Sequence, residues 1–599
     1  MRAFFIICLL LASQLHGNFV FTQTIIPAGN VAGSWTSDDS PYLIQGDIVV
    51  QVDTQLLISS GTEILFMGPY QLRVHGHLNA SGSIQDSIYF SCPDSINAWL
   101  GFRFIDIVQI LPDSLRLSYC KITKAIKDHP DSLGGAVFAR NSPRIAIDHC
   151  LFTQCKSGSG GAVYLSHSAL LIRNSVFRQN EAARGGALYL HNSAADLINI
   201  EVSGNLGQVG GGIYFYSSNA HLSHSLIANN VSIGGGGGII LHKTSNVSME
   251  HCIIEYNIAN GSGGGLALLE GSMPYIQFCT IRYNQTLFDQ YLAKGGGIFI
   301  TQHENFPLIE NCEISYNISA DDGGGIYTQS GLSLISSLLI HNQANTEMGF
   351  GGGGLFALFS GCLILNSTFS DNTAQEGTAL YSTGADFDLY NSIIWDDEPG
   401  EEKTIFMQNF LIDPTLKIDY TDFQGGEDQV GGIGAYNLIW GEHNMNINPA
   451  FVDFSADNYA LSDSSPCINA GLLDTLAFLL PSLDIAMNPR LAGITIDLGA
   501  YENQTPLGLG PISKDPPAIL NIYPVPARDH LNIRLSEQLM AKPLLVLIIN
   551  ASGQVLISKS HTVSSNNILI DLQNVSSGLY VLMIMGDHIS ASARFNVIK

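Results

Sequence analysis

Five carboxylates lie within the seven residues that follow Trp395, in the order DDEPGEE. Calcium is bound by several carboxylate oxygens at once, so this run could hold a calcium ion. It lacks the Asp-x-Asp-x-Asp-Gly order of a calcium-binding loop, and a run of acids is also typical of a solvated surface. Calcium is the only cofactor that the sequence suggests, and its candidate ligands are Asp396, Asp397, Glu398, Glu401 and Glu402.

Acid–base chemistry on a sugar polymer needs paired carboxylates, or a basic residue, on one face of a protein. Asp321 and Asp322, next to Gly323, form one acidic pair, and His224 and His251 occupy equivalent positions of a repeat. Lys and Arg total only 26 residues and are scattered along the chain. The sequence therefore assigns no catalytic residue, although residues far apart in the chain could assemble a site.

Aromatic residues recur at one position of a motif that begins Gly-Gly. Apolar residues flank this position on both sides, which in a strand directs the aromatic ring to the opposite, outward face. A row of outward rings could be a platform for sugar rings or for the apolar groups of a partner. It could equally be a ladder that stabilises the sheet through contacts between adjacent strands. This aromatic stripe comprises Phe138, Tyr164, Tyr189, Tyr214, Phe299, Tyr327, Phe356 and Tyr381.

The motif that carries the aromatic stripe is an internal repeat, Gly-Gly-(Ala/Gly)-apolar-aromatic. Its apolar position recurs at steps of 25 to 32 residues from Val137 to Leu380. A period of this size is typical of solenoids, whose units stack because none can bury its apolar face alone. The ten positions are Val137, Val163, Leu188, Ile213, Ile239, Leu266, Ile298, Ile326, Leu355 and Leu380.

Each repeat predicts three short strands separated by three corners. The first strand follows Gly-Gly, the second carries apolar pairs such as Val247 and Met249, and the third opens with Cys or Ser. Asn or His stands between the second and third strands, and these residues tolerate positive φ. Asn recurs five residues after the Cys/Ser position, as at Asn180 and Asn205, and predicts the second corner. The fold class is therefore all-β: a single-stranded parallel β-helix, right-handed as most parallel crossovers are, followed by a small C-terminal β-sandwich.

Five cysteines share one position of the repeat, which is Ser in several other copies. They are Cys120, Cys150, Cys252, Cys279 and Cys312. A small inward site beneath a corner suits a buried thiol, which behaves as a small apolar group. Disulfides or a metal site are the alternatives, and the absence of a CxxC pair from the sequence leaves zinc without support.

Composition excludes some functions. The chain has 599 residues and a formal net charge of −26, so it lacks the basic surface that binds nucleic acid. Residues 1–23 resemble a secretory signal peptide, with Arg2 followed by an apolar run from Ala3 to Ala12. That run is shorter than the about 20 residues needed to cross a bilayer, and no later segment is long enough. The sequence predicts an exported protein without a transmembrane segment.

The β-helix repeats span residues 115–445, and over about residues 115–395 they resemble those of polymorphic outer-membrane proteins. Paired GGA(V/L/I) and Phe-x-x-Asn motifs carry this likeness, as in Phe177–Asn180. Residues 24–114 resemble the cap and first coils of secreted pectin-lyase-like β-helices. Residues 446–502, with Ser465–Gly471 and Asp497–Glu502, are similar to the choice-of-anchor module that closes many such helices. These likenesses specify a fold and leave the activity open.

Residues 503–518 are rich in Pro and Gly and predict a linker, and residues 519–599 form a separate domain. The latter resembles the type A C-terminal sorting domain of the type IX secretion system, although Val525 stands where that family usually has Asn. The resemblance implies that residues 519–599 contact the secretion machinery and direct the chain across the outer membrane. The motif residues are Tyr523, Pro524, Pro526, Gly553, Gly578 and Tyr580.

These features predict an extracellular protein, either released or attached to the outer-membrane surface. We expect a non-enzymatic adhesin or glycan-binding stalk, whose ligand is a glycan or a host surface. A polysaccharide lyase or glycoside hydrolase on the same scaffold is the first alternative, and a structural element of a surface coat is the second. The scaffold by itself does not choose among them.

Overall fold

The computed structural model describes residues 23–93, 98–107, 115–127, 129, 132–287, 293–301, 307–345, 350–398, 400–472, 480–493, 495–505, 521–525, 527–534, 543–550, 555–562, 567–576, 578–586 and 589–597. The predicted signal peptide up to residue 22 and most of the predicted linker lie outside these ranges. Within them, regular structure consists of β-strands and three short 3-10 helices, Ser37–Asp39, Gly426–Gln429 and Phe454–Ala456. The all-β prediction is confirmed.

Three parallel sheets of sixteen strands wind along residues 24–440. Sheet 1 contains Thr24–Ile26, Tyr42–Ile44, Glu63–Phe66, Ile88–Ser91, Cys120–Thr123, Leu151–Thr153, Val176–Arg178, Glu201–Ser203, Leu226–Ala228, Ile253–Glu255, Thr280–Arg282, Glu313–Ser315, Leu338–Ile340, Thr368–Ser370, Ile393–Ile394 and Asp422–Phe423. Sheet 2, which carries the aromatic stripe, contains Gly29–Asn30, Ile48–Val50, Leu72–Val74, Phe102–Ile105, Val137–Arg140, Val163–Ser166, Leu188–His191, Ile213–Tyr216, Ile239–His242, Leu266–Leu268, Ile298–Ile300, Ile326–Thr328, Leu355–Leu358, Leu380–Thr383, Ile405–Gln408 and Val430–Ile433. Sheet 3 contains Gly33–Trp35, Gln55–Ser59, His77–Ser81, Leu115–Ser118, Ile145–Asp148, Ala169–Arg173, Ala194–Ile198, Asn219–Ser223, Val247–Glu250, Tyr275–Gln277, Leu308–Glu310, Leu332–Ile335, Cys362–Leu365, Phe387–Tyr390, Thr415–Asp419 and Asn437–Trp440.

A fourth, eight-stranded sheet corrects the prediction of three strands in each coil. Its short strands lie between sheet 1 and the Gly-Gly turn, where the sequence shows little apolar alternation. They are Lys156–Ser159, Glu181–Arg184, Leu206–Val209, Val231–Ser232, Ile258–Ala259, Gln285–Thr286, Ile318–Ser319 and Gln343–Ala344. Eight of the coils are therefore four-sided.

The corners use residues in the left-handed region. His149, Asn174 and His251 have φ near +50°, as predicted for the corner before sheet 1, and the first glycine of each Gly-Gly turn also has positive φ. The predicted second corner is wrong by one residue, because Gln179 has the positive φ and Asn180 follows it. Asn180 and its equivalents point inward and are buried, so their side chains serve a different purpose from turning the chain.

The interior is one continuous apolar core that runs from Trp35 to Val430. Alternate residues of each strand point into it, and each coil pairs in parallel register with the next, as Leu188 does with Ile213. The nine described cysteines are buried, and no disulfide joins them. The backbone N–H of Cys252 donates to Cys279 Sγ at 3.4 Å, which places the equivalent thiols in one stack. The prediction of stacked thiols agrees with this arrangement.

The chain divides into two compact units. Unit 1 comprises the β-helix up to Cys467 together with Asp484–Met487 and Leu498–Tyr501. It includes an antiparallel hairpin of Phe451–Asp453 and Asn458–Leu461. Unit 2 comprises Ile468–Leu483, Asn488–Asp497 and Glu502–Lys599.

The C-terminal part of unit 2 contains two antiparallel sheets. Asn521–Tyr523, His530–Arg534 and Asn567–Asp571 form the first sheet. Val555–Thr562, Pro543–Asn550, Gly578–Gly586 and Ile589–Val597 form the second, in that spatial order. Buried residues of both sheets form a separate core that includes Leu531, Ile548 and Phe595. In the described ranges, no helix has the length and apolar character needed to span a membrane.

Candidate functional site

A shallow groove of about 530 Å³ lies on the outer face of sheet 3. Ala169 and Ala194, which are partners in register on adjacent coils, are small outward side chains of its lining, and polar side chains lie beside them. The groove extends from Arg144, just before the fifth strand of the sheet, to Tyr275 in the tenth. Six strands at a separation of about 4.8 Å give it a length of about 24 Å.

One outward row supplies most of the polar groups in the groove. Asp196, His221, Ser248 and Tyr275 are partners in register on four successive coils. The neighbours of each in its strand point inward: Ala195 and Leu197, for example, belong to the core. Strand alternation therefore fixes these four side chains on the outside, and coil stacking places them side by side.

Two close pairs organise this row. Arg144 Nη2 lies 2.5 Å from Asp196 Oδ2, and about half of each of these side chains is exposed. His221 Nδ1 lies 2.9 Å from Ser248 Oγ. At the far end the Tyr275 hydroxyl donates to Gln277 Oε1 at 2.7 Å and contacts Glu310 Oε1 at 3.0 Å. The groove thus presents a cation, an anion, a hydroxyl and an imidazole at fixed positions beside the methyl groups of Ala169 and Ala194.

This groove was not predicted from the sequence. Its signal was present, because Asp196, His221, Ser248 and Tyr275 follow one another at steps of 25, 27 and 27 residues. These are the steps of the Gly-Gly repeat, but the position varies in residue type from coil to coil. A search for identical residues passes over a row whose members differ, whereas the register of the strands places them together.

The aromatic stripe lies outside the coil, and most of its rings are buried. Its rings belong to two clusters that are separate from the interior core, which agrees with the predicted outward direction. Tyr327, Phe356 and Tyr381 are 1 to 2% exposed, and Tyr164, Tyr189 and Tyr214 are 7 to 9% exposed. Phe138 and Phe299 pack against the same clusters and are partly exposed.

The rings of the stripe stack on one another. Tyr164 and Tyr189 have centroids 5.3 Å apart and planes inclined by 4°, and Phe356 and Tyr381 are at 5.0 Å and 9°. A ring whose two faces contact its neighbours has no face left for a sugar. This geometry and the burial favour the ladder over the platform.

The acidic run that follows Trp395 is held by backbone contacts at its start. Asp396 Oδ1 accepts from the N–H of Asp371 at 2.6 Å, and the N–H of Asp397 donates to Asp371 Oδ1 at 2.9 Å. Burial raises the pKa of Asp396 to about 6. Glu398, Glu401 and Glu402 are exposed. Across the described part of the chain, no group of three or more His, Cys, Asp or Glu could hold a metal ion.

A lysine forms ion pairs with both carboxylates of the Asp321–Asp322 pair. Lys294 Nζ lies 2.6 Å from Asp322 Oδ2 and 3.4 Å from Asp321 Oδ2. The same ammonium lies 4.7 Å from the centroid of the Tyr327 ring. Both acids are buried, and burial together with Asp322 raises the pKa of Asp321. Lys294, at the end of an insertion, thus links the two acids to a ring of the aromatic stripe. The two buried carboxylates are not accessible to a substrate.

The repeated histidines are corner residues. His224 and His251 have φ of 51° and 52°, and their rings stack with centroids 4.9 Å apart. Their place in the fold explains their recurrence without a catalytic role.

The sorting motifs occupy the C-terminal sheets. Tyr580 is buried, and its hydroxyl donates to the carbonyl of Ser576 at 2.9 Å. Tyr523 is 44% exposed, and its hydroxyl accepts from Asn567 Nδ2 at 3.0 Å. Pro524 follows it, and Gly578 begins a strand of the four-stranded sheet. Pro526 and Gly553 lie outside the described residues.

Two protein families match separate parts of the chain. Residues 106–281 and 254–398 match the family described as right handed beta helix region. Residues 521–598 match the family described as secretion system C-terminal sorting domain. The chain is an exported right-handed β-helix protein. Its sorting domain directs the β-helix protein to the cell surface or the extracellular space and implies contact with the type IX secretion machinery.

The solved structures that match the β-helix protein share little sequence identity with it. A periplasmic alginate epimerase has 13% identity and a TM-score of 0.26, covering 71% of this chain and 79% of its own. A PL6 alginate lyase in complex with a trisaccharide has 10% identity and a TM-score of 0.28, covering 76% and 88%. The tailspike protein of Acinetobacter phage vB_ApiP_P1 has 9% identity and a TM-score of 0.17, covering 92% and 72%. At these scores the likenesses carry no argument about activity. No curated protein matches the chain.

Proposed function

We propose that this exported β-helix protein binds an extended glycan in the groove on sheet 3. The observation that carries the proposal is the row of Asp196, His221 and Ser248, flanked by Arg144 and Tyr275, beside the outward Ala169 and Ala194. Sugar hydroxyls both donate and accept hydrogen bonds, and the axial C–H groups of a sugar ring pack against apolar surface. The groove offers both over a length that suits a chain more than a single ring.

The protein as a whole supports a binding role. Its formal net charge of −26 keeps it soluble and disfavours polyanionic partners, whereas a neutral glycan carries no such penalty. The Arg144–Asp196 pair balances one positive charge with one negative charge inside the groove. An adhesin or a glycan-binding stalk at the cell surface is the role that fits these features.

Glycan-array binding by the full-length chain tests the proposal. Arg144→Ala combined with Asp196→Ala should weaken binding to any retained glycan at least about tenfold, because two charge-assisted contacts are lost. The matched control is Arg282→Ala with Glu255→Ala, which removes another surface ion pair, at 2.9 Å on sheet 1. Equal binding by both double variants, or no binding by the native chain, would contradict the proposal.

A second candidate function, a polysaccharide lyase or glycoside hydrolase, rests on the contact between His221 and Ser248. An imidazole in an accessible groove can accept a proton, and a hydroxyl at 2.9 Å can pass one to it. Assay of a polysaccharide panel for new reducing ends and for ultraviolet-absorbing unsaturated products, with and without calcium, decides between the candidates. Turnover that His221→Ala abolishes while binding persists would establish the enzyme, and the absence of turnover on every retained polymer would leave the binding protein.

A further inference from the structure

Arg103 is buried at the beginning of the outward row of sheet 2 that continues as the aromatic stripe. It lies in Phe102–Ile105 and is in register with Arg73 on one side and Phe138 on the other. Only 4% of its surface is exposed. Arg73, one coil away, is half exposed and pairs with Asp47. Two arginines in one row therefore have opposite environments.

Of the three guanidinium nitrogen atoms of Arg103, one donates hydrogen bonds and two do not. Nη1 donates to the carbonyls of Gly134 at 2.7 Å and Phe102 at 3.1 Å. Nε and Nη2 are buried and have no hydrogen-bond partner. The guanidinium carbon lies 5.9 Å from the centroid of the Phe138 ring, which is an attractive but weak contact.

No acid of the described chain neutralises Arg103. The nearest acid in the sequence, Asp106, pairs with Arg140 at 3.0 Å. The neighbouring charge is Lys127, another cation, and burial together with Arg103 lowers the pKa of that lysine. Burial lowers the pKa of Arg103 to about 9, so the guanidinium is still charged at neutral pH. A buried charge is ordinarily paired and hydrogen-bonded, because an isolated one is costly.

The arrangement of the unpaired N–H groups of Arg103 defines which anion would match them. Nε–H and one Nη2–H of a guanidinium point in the same direction and form a fork, which matches the two oxygens of a carboxylate. A halide can accept from both N–H groups through its single centre, whereas a carboxylate supplies a separate oxygen aligned with each of them. Lys127 adds a second positive charge near Arg103 and is itself partly exposed.

We propose that Arg103, assisted by Lys127, is a binding site for a single carboxylate group on a small ligand. This site lies on sheet 2, whereas the groove lies on sheet 3, so it does not depend on the proposed glycan groove. The carboxylate could belong to a uronic acid or to a simple aliphatic acid. Both present the same planar anion, and they differ in the ring that accompanies it.

Thermal unfolding of the full-length chain at constant ionic strength tests this proposal. Sodium galacturonate, acetate, sulfate and galactose are titrated separately against a chloride background. A ligand that binds only the folded chain raises the unfolding midpoint in a saturable manner, by about 2 °C or more when it is well above its dissociation constant. A response to galacturonate and acetate indicates a site for any carboxylate, and a response to galacturonate alone indicates an acidic sugar.

Three variants assign the response to the fork. Arg103→Lys keeps the charge without the fork, and Arg103→Met removes the charge, so both should lose the carboxylate response. Arg73→Met, in the same row, should keep it. If Arg103→Met does not fold, Arg103→Lys and the titration of the native chain still test whether the fork binds a carboxylate. No response in the native chain, an equal response to sulfate and galactose, or an unchanged response in Arg103→Lys overturns the proposal.

Discussion

At the scale of single residues, the most demanding positions are the buried asparagines that follow the corner before the fourth sheet. Asn205 Oδ1 accepts from the backbone N–H of Asn180 at 2.9 Å and from its Nδ2 at 3.0 Å. Asn205 Nδ2 donates to the carbonyl of Phe177 at 3.0 Å. The same three bonds recur from coil to coil as far as Asn372. Each amide thus satisfies backbone groups that the corner removes from the sheets.

Asn205→Ala should therefore lower the free energy of unfolding by about 2–4 kcal/mol, because it leaves the Asn180 N–H and the Phe177 carbonyl buried without partners. Chemical denaturation monitored by circular dichroism measures the change. The control is Gln179→Asn, an exposed corner residue with φ of 56°. Asn tolerates this conformation, so the control should change stability by no more than about 0.5 kcal/mol. Equal effects of the two substitutions would show that the amide bonds contribute little.

At the scale of strands and sheets, the aromatic stripe is a support for sheet 2. Tyr189 stacks between Tyr164 and Tyr214, with centroid distances of 5.3 and 5.0 Å. Further along, Lys294 covers the Tyr327 and Phe356 rings. Stacked rings contribute packing beyond the area that they bury. The stripe therefore adds a second apolar layer outside the coil along sheet 2.

Tyr189→Ala should destabilise the protein by about 3 kcal/mol, because it leaves a gap between two stacked rings. Tyr189→Phe keeps the ring and should be nearly neutral. Both variants should bind glycans as the native chain does, since the groove lies on sheet 3. The measurements are denaturant unfolding and glycan-array binding with the same preparations. Loss of glycan binding in a folded Tyr189→Ala variant would restore the platform hypothesis.

Prediction from sequence succeeded where a physical constraint repeats the same residue. Gly, Asn or His occupies many of the corners, and apolar residues fill most of the core, so the period was visible at Gly134 and at Val137. The fourth sheet was missed because strands such as Leu206–Val209 face partly outward and carry no fixed residue type. The groove was missed for the same reason, since its row is defined by register and not by identity. Arg103 was missed because burial cannot be read from one charged residue in a strand.

At the scale of the whole molecule, a solenoid must end without exposing open sheet edges. Asp422 lies in the last strand of sheet 1 and ties later chain to it. Its Oδ1 accepts from the N–H of Ile447 at 3.0 Å, and its Oδ2 accepts from Cys467 Sγ at 3.2 Å. The carboxyl is fully buried, and burial raises its pKa to about 6. We therefore expect the stability of the end of the β-helix to depend on pH.

The direction of this sensitivity follows from the raised pKa. Below the ordinary value of 3.8 the Asp422 carboxyl is protonated whether the chain is folded or unfolded, so it imposes no penalty. Between 3.8 and about 6 folding takes up a proton, and stability falls as pH rises. Above about 6 the folded chain holds a buried charge, at a cost of up to about 3 kcal/mol. Glu502 in unit 2, whose pKa is raised to about 7 by burial and by Asp497, should show the same trend separately.

Asp422→Asn should match the native stability near pH 4 and exceed it near pH 8, because the amide resembles the protonated acid and cannot ionise. Denaturant unfolding of both proteins across this pH range measures the difference, in which all other titrating groups cancel. Asp106→Asn is the control with the opposite sign, since hydrogen bonds from Asn141 and Arg140 lower the pKa of Asp106. That variant should lose stability at neutral pH. A difference between Asp422→Asn and the native chain that does not change with pH would mean that Asp422 is ionised at little cost, and that the end of the solenoid is held by its backbone contacts alone.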